Sequence, residues 1–333
     1  MVKSGHRTTE SFKPFLHQYR VRGGEQNTRL LGFLIAAVGV LMLLIMVGTR
    51  LQNALSPPVE LASGDLAAAI SSHVNAMPRS GSEAYDVPTY SQSKTMGKAF
   101  EAIEAGNLSR AASLVDNLEY DVVQYKDTGT GRKHTMLRER QKADGSWPHA
   151  WGTYIFSPES ASNTAIEVVH PLADLDSEKV GLETFRRANA KYLLIAGAHR
   201  KSNADESADV AHAETSVFEQ IHRAAISPST KVLQPHGFSE AKHPHYGEVL
   251  VSPGTDRQTL LTKDITSALQ DAGFDARLYD GVSYFELSAT TNVQETSTRE
   301  IGASFLHIEL SRSVRDDDGR RALLTDTLAA NLR

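Results

Sequence analysis

Apolar residues fall into short runs along most of this chain, and several of the runs end abruptly at a polar side chain. Leu66, Ile70 and Val74 recur every four residues and predict a helix over 61–77. Met96, Phe100 and Ile103 predict a second helix, broken at Gly106-Asn107, and a third follows from Leu108 to Leu118. Extended segments are expected at 121–125, 134–138 and 152–156, separated by the turns at 128–131 and 144–145. Beyond them strands and helices alternate. A strand ends at His170 and a helix covers 177–189. The strand 192–196, a helix over 211–225 and a strand ending at His236 come next. A helix over 257–272, the segment 276–279, the strand 305–310 and a helix over 320–332 complete the series. Alternation at this spacing argues for βαβ units. The expected class is α/β, a mostly parallel or mixed sheet flanked by helices, preceded by a transmembrane helix and a small helical segment.

The transmembrane expectation rests on Leu30–Gly48, 19 residues without a charge, bounded by Arg29 and Arg50. At 1.5 Å per residue such a helix spans roughly 28 Å, close to the hydrocarbon thickness of a bilayer. Six basic residues precede it, and after Arg50 none follows until Arg79. That asymmetry puts the N-terminus in the cytoplasm and the rest outside, as an uncleaved signal anchor. The expected order is a cytoplasmic tail (1–29), the membrane helix (30–48), a linker (49–58), a small helical region (59–118) and an α/β domain (119–333).

Composition narrows the chemistry. The chain has 333 residues and a formal charge of −5, which supplies no electrostatic reason for a nucleic-acid partner. It has no cysteine, so disulfides, thiolate metal sites and cysteine nucleophiles are excluded. No G-x-S-x-G is present to suggest a serine esterase. Thirteen histidines are available, ten of them between His134 and His307.

Three apolar runs stop at metal-type side chains: 166–170 at His170, 231–236 at His236, and 304–309 at Glu309. In open α/β sheets ligands bind at the carboxyl ends of strands. Asp174 and Asp176 follow His170 closely enough for either to fold back as a ligand, or to cap the next helix. Gly237 after His236 lets the backbone turn away and leaves the imidazole accessible. Glu309 sits in an apolar strand, where a carboxylate is costly unless placed at a site or paired with Arg312 or Arg315. Beside a metal-bound water it reads as a general base. Arg200, at the end of another apolar run, is suited to a carboxylate. Asp209 and His212 read as supporting residues or caps, and His243 and His245 as a metal contact or loop decoration.

The order His170-x-x-x-Asp174, an Arg200 turn, His236-Gly237 and a late strand carrying Glu309 resembles the zinc carboxypeptidase and aspartoacylase-like superfamily, including relatives that cleave N-formylglutamate or poly-γ-glutamate. The family's first motif is commonly H-x-x-E, whereas here an Asp stands at a longer spacing. The resemblance implies one Zn2+ held by His170, Asp174 and His236, with Glu309 as base and Arg200 holding a substrate carboxylate. The function expected is a membrane-anchored zinc hydrolase of an amide or peptide bond, acting outside the cytoplasm on a small carboxylate-bearing substrate. The alternative is a non-catalytic, envelope-anchored binding or scaffold module.

Overall fold

The computed structural model describes residues 34, 35, 37–43 and 57–333. Residues 34, 35 and 37–43 are helical and exposed. The rest of the expected membrane segment, the N-terminal tail and most of the linker lie outside the described residues. Among the described residues no helix is long and apolar enough to cross a membrane.

Residues 56–333 form one compact unit. Ten strands make a single sheet: β1 (Glu60–Gly64), β2 (Tyr120–Asp127), β3 (Lys133–Glu139), β4 (Thr153–Phe156), β5 (Ser162–Val168), β6 (Ala190–Ile195), β7 (Lys231–Gly237), β8 (Val249–Ser252), β9 (Ala276–Leu278) and β10 (Ser304–Leu310). Their order across the sheet is β1-β2-β3-β4-β6-β5-β7-β10-β8-β9. The central β6-β5-β7-β10 strip is parallel, and antiparallel pairings at β4 and β8 flank it. The sheet is therefore mixed.

Helices cover both faces. On one side α1 (Leu66–Ala76), α4 (Ser177–Ala188), α6 (Leu260–Asp271) and α9 (Asp318–Leu332) bury Leu66, Ile70, Phe185, Ile265, Leu324 and Leu328 against Ile166, Leu233, Leu306 and Ile308. On the other, α2 (Tyr90–Glu104), α3 (Leu108–Val115) and α5 (Val217–Ala225) pack Met96, Phe100, Val115, Phe218 and Ile221 against Ala165, Val232 and Phe305. Helices α2 and α5 approach closely at Gly97, where a Cβ would meet the Gln220 carbonyl oxygen at 3.0 Å. Two further helices, α7 (Val293–Ile301) and the short α8 (Arg312–Asp316), flank β10 in sequence.

The region 59–118, expected as helical, begins with a strand. β1 is a parallel edge strand on β2, and the helices after it join the core on both faces of the sheet. Its ELASG sequence holds one large apolar residue, so periodicity could not reveal it. β8 and α7 were likewise unexpected, the first for its four-residue length and the second because its sequence, VQETSTREI, is mostly polar. The helix expected from 211 starts at Val217, where the Ser216 hydroxyl accepts the Glu219 amide as N-cap.

Side chains alternate across a strand with period two, so each central strand presents one residue set to each face. On the α5 side β10 presents Phe305, His307 and Glu309, and β7 presents Val232, Gln234 and His236. The register aligns Phe305 with Val232, His307 with Gln234, and Glu309 with His236. One face thus changes from apolar to ionisable as it approaches the carboxyl edge.

Candidate metal centre

His170 lies two residues beyond β5, His236 near the end of β7, and Asp174 in the β5–α4 loop. All three are buried. His170 Nδ1 lies 3.2 Å from His236 Nδ1, and Asp174 Oδ2 lies 3.4 Å and 3.1 Å from those two nitrogens. Zinc bonds of about 2.0–2.1 Å set tetrahedrally require ligand atoms about 3.3 Å apart. The observed triangle has that size.

The protons around the triangle are set from outside it. Gln234 donates its amide to Glu167 Oε2 at 3.2 Å, so its Oε1 is an acceptor. Asn292 Nδ2 donates to that oxygen at 2.7 Å, and His236 Nε2 lies 3.0 Å from it. His236 must therefore carry its proton on Nε2, leaving the Nδ1 lone pair toward the centre. On the other imidazole, His170 Nε2 meets Asp209 Oδ1 at 2.9 Å and donates to it. A carboxylate behind a ligating imidazole fixes its orientation and raises its basicity.

Two nitrogen lone pairs and a carboxylate oxygen thus converge with no donor between them. Asp174 Oδ2 is buried in no orientation that makes a hydrogen bond. Such a group repels itself unless a cation sits within it. Without metal a proton fills part of this need. Burial opposes charge on His170, but the adjacent Asp174 and Asp209 carboxylates prevail and push its pKa up to about 9. Burial likewise disfavours the Asp174 carboxylate, yet His170 and His236 hold its pKa well below the usual range. The donor set, its spacing and its orphaned oxygen fit zinc.

Glu309 Oε2 is also buried and unpartnered, with Oε1 3.7 Å from His307 Nε2. Burial, reinforced by the charge of Asp174, pushes its pKa well above the carboxylate range. Glu309 makes no ion pair with Arg312 or Arg315. Arg312 binds Asp176 Oδ2 at 2.7 Å, and Arg315 donates to the carbonyls of Leu175, Phe238 and Leu310. Asp176 is accordingly held by Arg312 and Lys179, is not part of the triangle, and its side chain does not cap α4.

Arg200 binds Asp209 Oδ2 at 2.8 Å and lines the cavity, of about 240 Å³, over the triangle. His170, His236, His307 and Glu309 line it too, as do His212 and the segment 285–292. Asp209 therefore joins His170 to Arg200, and His212 Nδ1 lies 3.4 Å from its Oδ2. Gly237 has no left-handed backbone and forms the last residue of β7. It is glycine because the Arg315 guanidinium lies flat against it, where a Cβ would collide. The expected sharp turn there is absent.

Sequence reasoning did not single out His307, Gln234, Glu167 or His222. His307 was visible through period two, since it must share a face with Glu309. The other three form a buried column under the centre. Glu167 Oε1 meets His222 Nδ1 at 2.5 Å, and His222 Nε2 meets Thr298 Oγ1 at 3.2 Å. Burial opposes protonation of His222, but the Glu167 charge raises its pKa. His243 lines a different cavity.

No family model matches the chain, and no curated protein matches it. Solved structures do. An N-formylglutamate amidohydrolase from Ralstonia eutropha JMP134 is 13% identical, with a TM-score of 0.35, over 55% of this chain and 96% of that one. A metallo-carboxypeptidase from Burkholderia cenocepacia is 13% identical, with a TM-score of 0.35, over 69% and 66%. An aspartoacylase family protein from Mesorhizobium loti is 10% identical, with a TM-score of 0.35, over 59% and 66%. At these identities and scores the likeness adds no argument to the geometry. The families these structures carry are the ones the sequence pattern resembles.

Proposed function

We propose that this protein is a zinc-dependent hydrolase of an amide or peptide bond in a carboxylate-bearing substrate. The observation that carries the reading is the buried triangle of His170 Nδ1, His236 Nδ1 and Asp174 Oδ2. Three protein ligands with room for one more are the pattern of catalytic zinc sites. His170, His236 and Asp174 would hold the zinc, which would supply Lewis acidity there. Glu309 takes up and returns the proton at its free Oε2, which no protein group occupies. Arg200, already anchored on Asp209, has guanidinium N–H groups left for a substrate carboxylate. Phe285, Glu286, Leu287 and residues 289–292 line the same cavity beside Arg200. The uncharged run Leu30–Gly48 and the basic residues before it support an uncleaved membrane anchor with the catalytic unit outside the cytoplasm.

The test is the metal content of the purified chain. About one zinc per chain is expected in the wild type and next to none in the His170→Ala, His236→Ala double variant. Full occupancy in the double variant would sink the site. Zinc in the wild type without turnover of any amide would favour the non-catalytic binding module.

A further inference from the structure

A second cavity, of about 420 Å³, adjoins the metal cavity across Leu287, which lines both. Its walls come from the ligand-bearing segments themselves. Ala173 and Leu175 flank Asp174, and Gly237 and Phe238 follow His236. The polar side chains lining it are Ser239, Lys242, His243, Arg312 and Arg315, and no Asp or Glu is among its lining residues. Arg312 is neutralised by Asp176 at 2.7 Å and Asp316 at 2.8 Å. Arg315 is different. It is buried, and its guanidinium is hydrogen-bonded only to the carbonyls of Leu175, Phe238 and Leu310. No carboxylate pairs with it, and none of the ion pairs among the described residues involves Lys242. Two cations therefore border this cavity without an ion-pair partner, Arg315 feeling the charges of Asp174, Glu309 and Asp176 only from beyond ion-pair distance. A buried charge left in that condition is costly, and an incoming anion relieves it.

We propose that this cavity receives a carboxylate on the part of the substrate remote from the bond cut at the metal centre. The preferred substrates are then acidic chains spanning both cavities, with one carboxylate near Arg200 and another at Arg315 and Lys242. The proposal rests on the hydrolase reading for the word substrate. The anion site itself stands on the charges and walls of the second cavity.

Triglutamate peptide and its triglutamine counterpart are the probes, titrated calorimetrically into the full chain after zinc removal, so that neither is consumed. Lys242→Glu is the variant, because Lys242 is exposed and braces nothing, whereas Arg315 holds three segments together. Triglutamate should bind about tenfold more tightly than triglutamine, and Lys242→Glu should cut that preference several-fold. His236→Ala should keep the preference. Equal binding of the two peptides, or an unaltered preference in Lys242→Glu, overturns the proposal. So does inorganic phosphate binding that depends on Lys242 while the peptides show no preference, since that marks a free-anion site. If the charge preference holds but zinc and turnover are missing, the hydrolase reading alone fails. Turnover of acidic peptides that is indifferent to Lys242→Glu removes the second cavity alone.

Discussion

Two groups of polar side chains occupy one face of the central strands, and they obey opposite rules. In the lower group Glu167, His222, Gln234, Gln294 and Glu219 are buried, and each is partnered. Gln294 donates to the Val210 carbonyl at 3.0 Å and to Glu219 at 3.2 Å, and Glu219 accepts Ser297 at 2.6 Å and Arg223 at 2.7 Å. In the upper group, with His307 level with Gln234 and the other two nearer the carboxyl edge, Asp174 Oδ2, Glu309 Oε2 and His307 Nδ1 are equally buried and have no hydrogen bond. Burial is common to both, and satisfaction is not. A closed network gains nothing from a ligand and serves as scaffold. An open one stores unmet hydrogen-bonding capacity where a cation, a water and a substrate can meet it.

Breaking each group should therefore have separable consequences. The largest is at Glu309. Glu309→Gln should lower amide turnover by about 10²–10⁴-fold while zinc content and urea-unfolding stability stay near wild type. A loss of zinc or of fold in that variant would mean that Glu309 belongs to the scaffold. Glu167→Ala should do the reverse, leaving His222 Nδ1 and Gln234 Nε2 without their carboxylate partner in the interior. Its cost should be about 3–5 kcal/mol of unfolding free energy, read from urea denaturation of the metal-free protein.

Gln234 joins the two groups, and Gln234→Leu removes the acceptor of His236 Nε2–H. Zinc affinity, measured by chelator competition, should fall by about 10–100-fold, with a smaller stability loss than at Glu167. A variant with wild-type affinity would show that the column does not orient the ligand.

The smallest effect sharpens the comparison with a buried histidine that is no site. His134 on β3 packs against Phe185 with both ring nitrogens unpartnered, and burial lowers its pKa to about 4 against Asp127's opposing charge. The unfolded chain, with a value near 6.5, binds that proton first. His134 therefore withdraws stability as pH falls through 6.5 toward 4, and the loss is complete below 4. His134→Leu should flatten this slope, gaining roughly 1–2 kcal/mol over wild type between pH 7 and pH 5. A parallel pair of pH–stability curves would contradict the assignment.

The strands bearing the ligands were legible because each is an apolar run with an ionisable end, a pattern that burial rarely tolerates without cause. His170, Asp174 and His236 meet in space, and Glu309 and Arg200 line the same cavity. Asp209 could be seen only as a support or a cap, since nothing local says that its carboxylate turns back 39 residues to His170. Gln234 and Glu167 were hidden by their own strands, where a single polar residue resembles an interruption. His222 looked like an ordinary helix residue. Such partners are joined by sheet order, and sheet order is not written in local periodicity. β1 and β8 escaped for the simpler reason that four or five residues carry too little pattern.

The column under the metal centre also bears on how the chain finds its register. β10 is a parallel strand beside β7, and both of its faces are buried. Such strands can slide, because hydrocarbon meets hydrocarbon in more than one alignment. A slip of one residue would turn His307 and Glu309 toward Leu324 and Leu328, and strand Gln234 and His236 without neighbours. Each displaced ionisable group would be expelled from that apolar layer. The polar side chains at the carboxyl edge thus also favour one strand pairing, because a misaligned sheet would bury them without partners.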